Sequence, residues 1–400
     1  MMIRTARRIQ GVEEYYFSRK LQEVRSLDTS EFPVINLGIG SPDRAPSPGV
    51  IDKLYQTALG NGNHGYQNYK GIPGLRKAIA EFNKRIYGVS LNVENEILPL
   101  MGSKEGIMHI SMAFVDEGDT VLIPDPGYPT YSSVSQLAGA KVDTYTLQED
   151  KNWAIDFEAL ETKDLSRVKL MWINSPHMPT GSRLSKQDLQ RVVDLARKHN
   201  FLLVNDNPYS MVLNDRPTSV LSLNGAMEVA LELNSLSKSH NMAGWRVGWV
   251  AGNETHVNAV LKVKSNMDSG MFLGIQQAAI EALGQGESWF DEINSVYGRR
   301  KEIALDILET LECHYAANQA GLFVWGKAPD HIKDIPAWID SILYQTKVFI
   351  TPGFIFGKAG ERFIRLSLCA TEENLHLAHE RIIKWAGLAT TESERKEVKI

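Results

Sequence analysis

The chain has 400 residues, which is long for a single hydrophobic core and favours two domains. Its hydrophobic fraction of 43% and charged fraction of 23% are those of an ordinary globular protein, which excludes a disordered chain. The formal net charge of −5 provides no attraction to nucleic acid or to an anionic membrane, so we expect neither as a partner.

The termini and the cysteines bear on the cellular compartment. The N-terminal segment contains basic residues but no apolar core, so it does not resemble a secretory signal. The sequence has no apolar run of about 18 residues, the length that a membrane-spanning helix needs. Cys313 and Cys369 lack the spacing of metal ligands, and we predict neither a disulfide nor a metal site. These features favour a cytoplasmic protein.

The central part of the chain alternates short apolar segments with helix-like segments. The apolar segments predict strands at residues 97–100, 120–123, 168–173, 201–204, 230–233 and 247–251. Helical patterns follow at residues 104–114, after Tyr128, and at 187–198. This alternation predicts an α/β fold, with a three-layer large domain around a mostly parallel sheet. Ligands of such sheets bind in the loops that follow the strands.

The pattern changes near residue 290. A long helix is predicted at residues 290–311, and strands are predicted at 322–325, 348–350 and 363–368. A last helix at 372–386 is followed by a polar segment, residues 390–400, which we expect to be a frayed tail. We predict a large domain of residues 45–290 and a smaller α+β domain built from residues 1–44 and 291–400.

Three generic motifs are poor matches. Residues 38–40 begin a dinucleotide fingerprint, but Asp43 stands where its third glycine belongs. Residues 353–358 are one residue short of a phosphate-binding loop, and Ala359 replaces its hydroxyl residue. Residues 235–238 match the S-x-x-K of penicillin-recognising enzymes, whose companion triplets are absent from this sequence.

The segment NSLSKSHNMAGWRVG carries a lysine directly after a predicted strand. A lone lysine in a loop is usually solvated. Lys238, however, is followed eight positions later by Arg246, and nearby cations lower a lysine pKa toward the neutral amine that Schiff-base chemistry requires. Ser235, Ser237 and Arg246 could together bind an anion such as a phosphate.

The segment NDNPY follows another predicted strand. The Asp206 carboxylate could pair with a protonated ring nitrogen of an aromatic cofactor, and the Tyr209 phenol could donate to an oxygen of the same ring. Taken alone, Asp-Asn-Pro indicates only a turn.

Together these segments resemble the class I/II aminotransferases of PLP fold type I. The resemblance runs from about residue 36 to about residue 375 with the motifs in the family's order, and Ser-Leu-Ser-Lys…Gly-Trp-Arg-Val-Gly is its most specific part. It implies pyridoxal 5′-phosphate (PLP) as the cofactor, held by Lys238 as a Schiff base. It also implies that Ser235 and Arg246 bind the phosphate, that Asp206 pairs with the pyridine nitrogen, and that Tyr209 contacts the ring oxygen.

Two further loops carry cofactor contacts that the resemblance implies. Gly102, Ser103 and Lys104 fall on the loop that wraps the phosphate at a helix N-terminus, although Ser103 alone would indicate a simple helix cap. Tyr128 in DPGYPTY falls on the aromatic residue that stacks on the pyridine ring, although alone it would be assigned to the core.

The resemblance also implies a homodimer and a substrate site. Tyr66, five residues before Gly-Ile-Pro, falls on the tyrosine that reaches the phosphate of the partner subunit. Arg365 falls on the arginine that binds the substrate α-carboxylate, a task suited to a bidentate guanidinium, although alone it would indicate a surface ion pair. Gly40 falls on the glycine whose backbone approaches the substrate.

One position departs from the family pattern. The run Asn-Ser-Pro-His-Met-Pro-Thr-Gly has Met178 where the family has an asparagine that bonds the cofactor ring oxygen and assists with the substrate carboxylate. A thioether is a weak acceptor and has no N–H to donate. We therefore expect Tyr209 to be the main partner of the ring oxygen, with His177 as a candidate for compensation.

The implied reaction moves an amino group from an L-amino acid to a 2-oxo acid, with Lys238, Asp206 and Tyr209 as catalytic residues and the lysine amine as general base. A PLP-dependent carbon–sulfur β-lyase on the same scaffold is an alternative, because a fold does not fix the chemistry. A PLP-sensing regulator is disfavoured, since too few residues precede the matching region for a DNA-binding domain. An apolar pocket lined by Tyr15, Tyr16, Ile39 and Tyr128 would favour a neutral or aromatic donor.

Overall fold

The structure is a computed structural model that describes residues 3–10 and 16–397. Within these residues the helices are α1 (Arg7–Gln10), α2 (Tyr16–Leu27), α3 (Pro48–Ala58), α4 (Pro73–Tyr87), α5 (Ser103–Phe114), α6 (Pro129–Leu137), α7 (Phe157–Thr162), α8 (Lys186–His199), α9 (Ala226–Val229), α10 (Leu236–Ser239), α11 (Glu254–Lys264), α12 (Leu273–Leu283), α13 (Glu287–Thr310), α14 (Ile335–Thr346) and α15 (Glu372–Glu397).

The strands of the described residues are short and spread along the chain. They are β1 (Ile35–Asn36), β2 (Ile97–Leu100), β3 (Thr120–Asp125), β4 (Lys141–Gln148), β5 (Ala154–Ile155), β6 (Val168–Ile173), β7 (Leu202–Asp206), β8 (Ala230–Ser235), β9 (Gly248–Gly252), β10 (His314–Tyr315), β11 (Phe323–Lys327), β12 (Val348–Phe349), β13 (Thr351–Pro352) and β14 (Phe363–Ser367).

The large sheet has the strand order β2-β9-β8-β7-β6-β3-β4-β5. The strands from β4 to β8 in this order are parallel to one another, whereas β9 and β5 run antiparallel to their neighbours. The predicted mostly parallel sheet is therefore confirmed. Strand β4 was not predicted, because its partly exposed residues alternate with buried Tyr145 and Leu147 and form no continuous apolar run.

Helices cover both faces of this sheet and give it three layers. Alternate residues of β6 point to opposite sides, so Leu170 and Trp172 pack in one cluster with residues of α5, α6 and α11. Met171 and Ile173 pack in the other cluster, with residues of α4, α8 and α12. Burial on both faces explains why the central strands have continuous apolar sequences.

A second sheet is formed by the C-terminal part of the chain, in the order β10-β11-β14-β13, with antiparallel pairing throughout. Arg365 lies at its centre, opposite Trp325 on one side and Thr351 on the other. The N-terminal strand β1 pairs in parallel with β12, with Ile35 opposite Val348. The strand predicted at 348–350 is observed as β12, and the separate strand β13 follows it in a different sheet.

The last helix is longer than predicted. Helix α15 continues to Glu397, beyond the end predicted at residue 386 and into the segment expected to be a frayed tail, and residues 398–400 lie outside the described residues. Glutamate, lysine and arginine favour helices even where no apolar stripe continues, which explains the difference. In the described part of the chain, no helix has both the length and the apolar character needed to cross a membrane.

Candidate active site

A cavity of about 400 Å³ lies where the carboxyl ends of the central strands meet the second sheet. Most of the side chains that the sequence assigned to a cofactor or substrate line it: Gly40, Ser103, Lys104, Tyr128, Asp206, Tyr209, Ser235, Ser237, Lys238, Arg246 and Arg365. Gly102 is adjacent to this lining, and Tyr66 lies elsewhere on the surface.

Lys238 lies on the short helix α10, directly after β8. Its Nζ donates to the carbonyl oxygen of Gly40 at 2.5 Å. Burial lowers the pKa of Lys238, and the charges of Arg365 and Arg246 lower it further, against the opposing effects of Cys369 and Asp206. The amine is therefore biased toward the neutral form that a nucleophile or a base requires.

Asp206 lies at the end of β7 with its carboxylate facing the cavity. Oδ2 accepts a hydrogen bond from the Tyr131 hydroxyl at 2.8 Å, whereas Oδ1 is buried without a hydrogen-bond partner among the described residues. Burial raises the pKa of Asp206 to about 7, and the Tyr131 bond and the Lys238 charge oppose that rise. An open carboxylate oxygen at this position is suited to a cationic N–H donor.

Tyr131 and Asn174 were missed by the sequence analysis. Both line the cavity, and the Asn174 amide donates to the main-chain oxygen of Asp206 at 2.5 Å. Tyr131 follows Tyr128 by three residues in the same motif, so the two tyrosines lie on neighbouring turns, with ring centroids 5.5 Å apart. That spacing was a usable signal for the second tyrosine.

A group of hydroxyls and one guanidinium forms another part of the cavity lining, called the anion-binding wall below. The Ser235 hydroxyl donates to the Ser237 hydroxyl at 2.8 Å, and Arg246 Nη1 donates to the same Ser237 oxygen at 3.4 Å. Gly102 occupies the cap position of α5 with φ 87°, so the expected capping by Ser103 is wrong. A Cβ on Gly102 would lie 2.2 Å from Arg246 Nη2. Glycine thus leaves the guanidinium beside the positive end of α5, an arrangement that binds anions.

The two tyrosines predicted to face an aromatic cofactor are mostly enclosed. Burial raises the pKa of Tyr128 and the pKa of Tyr209, so both phenols keep their protons at neutral pH and can donate hydrogen bonds. The Tyr209 ring packs edge-on against Phe323 at 6.0 Å. A Cβ on Gly40 would lie 2.1 Å from the same phenylalanine, so packing requires glycine there.

Arg365 is buried among aromatic rings. Its guanidinium carbon lies 3.9 Å from the ring centroid of Phe323, 4.7 Å from that of Phe356 and 5.8 Å from that of Phe17. Its Nη2 donates to the carbonyl oxygen of Gly38 at 2.6 Å. The surface ion pair that the isolated residue would indicate is therefore wrong, because this arginine is only 4% exposed. A desolvated guanidinium binds a carboxylate strongly.

Met178 contacts this arginine directly. Its Sδ lies 3.2 Å from Arg365 Nη1, and its main-chain N–H donates to Asn174 Oδ1 at 2.7 Å. His177 is buried, bonded through Nδ1 to Thr180 Oγ1 at 2.8 Å, and is not among the residues that line the cavity. Burial lowers the pKa of His177 to about 3, which keeps the imidazole neutral. The expected compensation by His177 is therefore absent from the described cavity wall.

The remaining expectations concern residues near the N-terminus and Tyr66. Ile39 and Tyr128 line the cavity, whereas the Tyr16 ring packs edge-on against Phe354 at 5.2 Å and is not part of the lining. Tyr15 lies outside the described residues. Tyr66 is 93% exposed in the single chain.

Comparison with known proteins agrees with this geometry. Residues 33–382 match the family model of aminotransferase class I and II. The chain belongs to the class I and II aminotransferases. Members of this family depend on PLP, so this aminotransferase is a PLP-dependent transaminase, and the carbon–sulfur lyase alternative is not supported.

Curated relatives cover nearly the whole aminotransferase. An LL-diaminopimelate aminotransferase of Dehalococcoides mccartyi is 38% identical over 93% of this chain and 96% of its own. One from Natranaerobius thermophilus is 38% identical over 96% of this chain and 100% of its own. Among solved structures, substrate-bound BacF from Bacillus subtilis has a TM-score of 0.90 and 33% identity, covering 96% of this chain and 98% of its own.

Aspartate aminotransferase from Thermus thermophilus with maleate has a TM-score of 0.89 and 27% identity, covering 96% of this chain and 100% of its own.

The cavity of this chain fits PLP on three independent observations. Asp206 has a buried carboxylate oxygen without a hydrogen-bond partner among the described residues. Gly102 makes room for Arg246 at a helix N-terminus, and the pKa of Lys238 is lowered.

Proposed function

We propose that this transaminase moves the amino group of an L-amino acid to a 2-oxo acid in the cavity described above, with Lys238 as the residue that carries PLP. The observation that supports this most strongly is the meeting of Lys238, Asp206 and Arg365 around one cavity. When bound, PLP supplies the electron sink that makes the substrate Cα–H bond acidic.

In the first half of the reaction Lys238 Nζ acts as the base that takes the proton from the substrate Cα, and in the second half it gives a proton to Cα of the amino acid formed from the 2-oxo acid. Burial and the neighbouring guanidinium groups lower its pKa, so the neutral amine is available near neutral pH. Its present partner, the Gly40 carbonyl, can hold the displaced amine in the site.

Asp206 holds the ring nitrogen of the cofactor. Its Oδ2 is already bonded to Tyr131, so Oδ1, which has no hydrogen-bond partner among the described residues, would be the acceptor for a protonated ring nitrogen. A cationic partner stabilises the ionised carboxylate, so cofactor binding lowers the pKa of Asp206 from its raised value. Tyr209 and Tyr128 line the same cavity, where Tyr209 would donate to the ring oxygen and Tyr128 would contact the ring.

The anion-binding wall holds the cofactor phosphate. Its donors come from two places, the start of α5 after Gly102 and the serine–arginine group near Lys238. They are Ser103, Lys104, Ser235, Ser237 and Arg246. The phosphate dianion is matched there by a guanidinium and by the positive end of a helix.

Arg365 binds the substrate α-carboxylate. The aromatic rings around it exclude water and strengthen the ion pair. The Gly38 carbonyl bonded to Nη2 marks where an acceptor oxygen fits. The two oxygens of a bound carboxylate would replace acceptors such as the Gly38 carbonyl. Gly40, which has no side chain, allows the backbone to lie close to the substrate.

The active enzyme is a cytoplasmic homodimer with shared active sites. Its two domains are residues 45–290 and residues 1–44 with 291–400. Several large apolar side chains on α3, on the segment after it, before α5 and after α11 are exposed in the single chain: Tyr55, Leu59, Tyr66, Tyr69, Met101 and Met267. We call this set the dimer face, since a second copy of the chain would bury it and bring Tyr66 to the neighbouring phosphate.

The dimer is tested by mass and by cofactor affinity. Wild-type protein should have twice the chain mass in sedimentation, and Tyr66→Phe should weaken PLP binding without changing that mass. Tyr344→Phe, another exposed tyrosine, is the matched control. A monomeric wild-type enzyme with full activity would contradict the shared site.

The reaction is tested by following the visible absorbance of the PLP-loaded enzyme while single amino acids are added without a 2-oxo acid. Loss of the band, with pyridoxamine 5′-phosphate formed and no ammonia, is the expected result. Release of ammonia and pyruvate with the band retained would contradict amino transfer.

A further inference from the structure

Several apolar side chains share the cavity with Arg365. They line the cavity and come from both ends of the chain: Phe17, Leu21, Ile39, Phe323 and Phe356. Phe17 and Leu21 are only partly buried, and Ile39 is 39% exposed. These N-terminal side chains therefore retain apolar surface that a bound substrate side chain can cover, and such contact is favourable only for an apolar group.

The charged groups of the cavity already have tasks. Its cations in the described lining are Lys104, Lys238, Arg246 and Arg365, and its one carboxylate is Asp206. In the proposed function, two of these cations face the phosphate, one carries PLP and one binds the α-carboxylate. Asp206 faces the cofactor ring. No described charge of the lining is then assigned to the far end of a substrate side chain.

The segment that we propose to reach the partner's cavity adds no acid. Residues 60–70 read GNGNHGYQNYK, without aspartate or glutamate. Lys70 in this segment donates to the main-chain oxygen of Glu94 at 3.3 Å. A substrate with a second ammonium group would lose its hydration there without gaining a carboxylate partner among the described residues, which is unfavourable.

We infer that the amino donors of this enzyme are L-amino acids with an uncharged, apolar side chain, and that Phe17, Leu21 and Ile39 determine this preference. The inference rests on the proposed role of Arg365. It sets this chain apart from relatives named LL-diaminopimelate aminotransferases, because diaminopimelate carries a second ammonium and a second carboxylate at its far end.

The test compares donors on the PLP-loaded, full-length enzyme. L-Leucine and L-phenylalanine should convert the bound cofactor with a kcat/KM at least about tenfold above L-aspartate and LL-diaminopimelate, the discrimination expected from apolar contacts and unmatched charges. An equal or higher value for either charged donor would overturn the inference and leave the transaminase activity intact. Conversion by no amino acid would overturn the proposed function itself.

A pair of variants tests the assigned residues. Ile39→Ala should lower the ratio of kcat/KM for L-leucine to that for L-alanine about three- to tenfold, because the larger side chain has more apolar contact to lose. Ile383→Ala removes another exposed isoleucine, on α15, and should leave the leucine-to-alanine ratio unchanged. An unchanged ratio in both Ile39→Ala and Phe17→Ala would refute their role, since a purely structural effect lowers both donors equally.

Discussion

The two ends of the active-site cavity are built in different ways. The cofactor end uses the ends of neighbouring strands of one sheet and the segments beside them, and its groups are hydroxyls, a carboxylate and cations such as Ser235, Asp206 and Arg246. The substrate end combines Arg365 from the second sheet with aromatic side chains such as Phe17 and Phe356 from distant segments. The end proposed for the cofactor thus carries polar groups fixed on one sheet, whereas the end proposed for the substrate has a buried arginine among aromatic side chains.

The largest effect is expected at the cofactor end, from Lys238→Ala. Loss of the base should lower kcat by at least about 10²–10⁴-fold, because no other described amine replaces it at the Gly40 carbonyl. PLP should still bind through the anion-binding wall, and the absorbance of PLP that stays with the protein after gel filtration will measure this binding. Lys262→Ala, at an exposed lysine of α11, is the control. Full activity of Lys238→Ala would refute the assignment.

Asp206→Asn should lower kcat by about 10²–10³-fold, the cost of losing one electrostatic stabiliser in a buried site. The same variant tests the pH dependence of stability. Burial raises the pKa of Asp206 from 3.8 to about 7, so the PLP-free wild type loses stability as the pH rises between these values.

Glu232 is a second buried carboxyl group, whose pKa is also raised to about 7, and it is present in both proteins. The PLP-free Asp206→Asn variant should therefore equal the wild type in melting temperature below pH 4 and exceed it at pH 8. If the wild type were still the more stable protein at pH 8, ionisation of the buried Asp206 carboxyl would not be what lowers its stability.

A smaller effect is expected at the substrate end, from Arg365→Lys. The charge is kept but the bidentate geometry is lost, so kcat/KM should fall about 10- to 100-fold, the value of one charge-assisted hydrogen bond. The affinity for PLP should not change, which separates the two ends of the cavity. Arg299→Lys, in a surface pair with Glu372, should change kcat/KM less than twofold. Equal losses in both variants would contradict the assignment.

The smallest effect is expected from Met178→Asn. The amide adds a donor beside Arg365 in place of a thioether 3.2 Å from Nη1, so KM for the amino donor should fall about two- to tenfold. Steady-state kinetics with one donor and one oxo acid will measure it, with Met112→Asn on the exposed side of α5 as the control. A rise in KM would instead show that the thioether contact orders the arginine.

The same contrast explains how much could be predicted from sequence. The strands of the central sheet have continuous apolar segments, and the cofactor groups follow them in recognisable motifs, so the sheet and most of the polar lining were predicted. Phe17 and Phe356 look like core residues, and only the fold brings them to Arg365. The Met178 sulfur contact was equally invisible, since it joins side chains 187 positions apart.

The pairing of β1 with β12 also constrains how the protein is made. Residues on the two strands are far apart in sequence, and the nearby bond between Thr351 and Gly38 spans 313 positions. Both walls of the substrate end therefore form only after nearly the whole chain has left the ribosome. Contacts of such long range slow folding, so the nascent chain spends this interval with the apolar wall uncovered and exposed to chaperones.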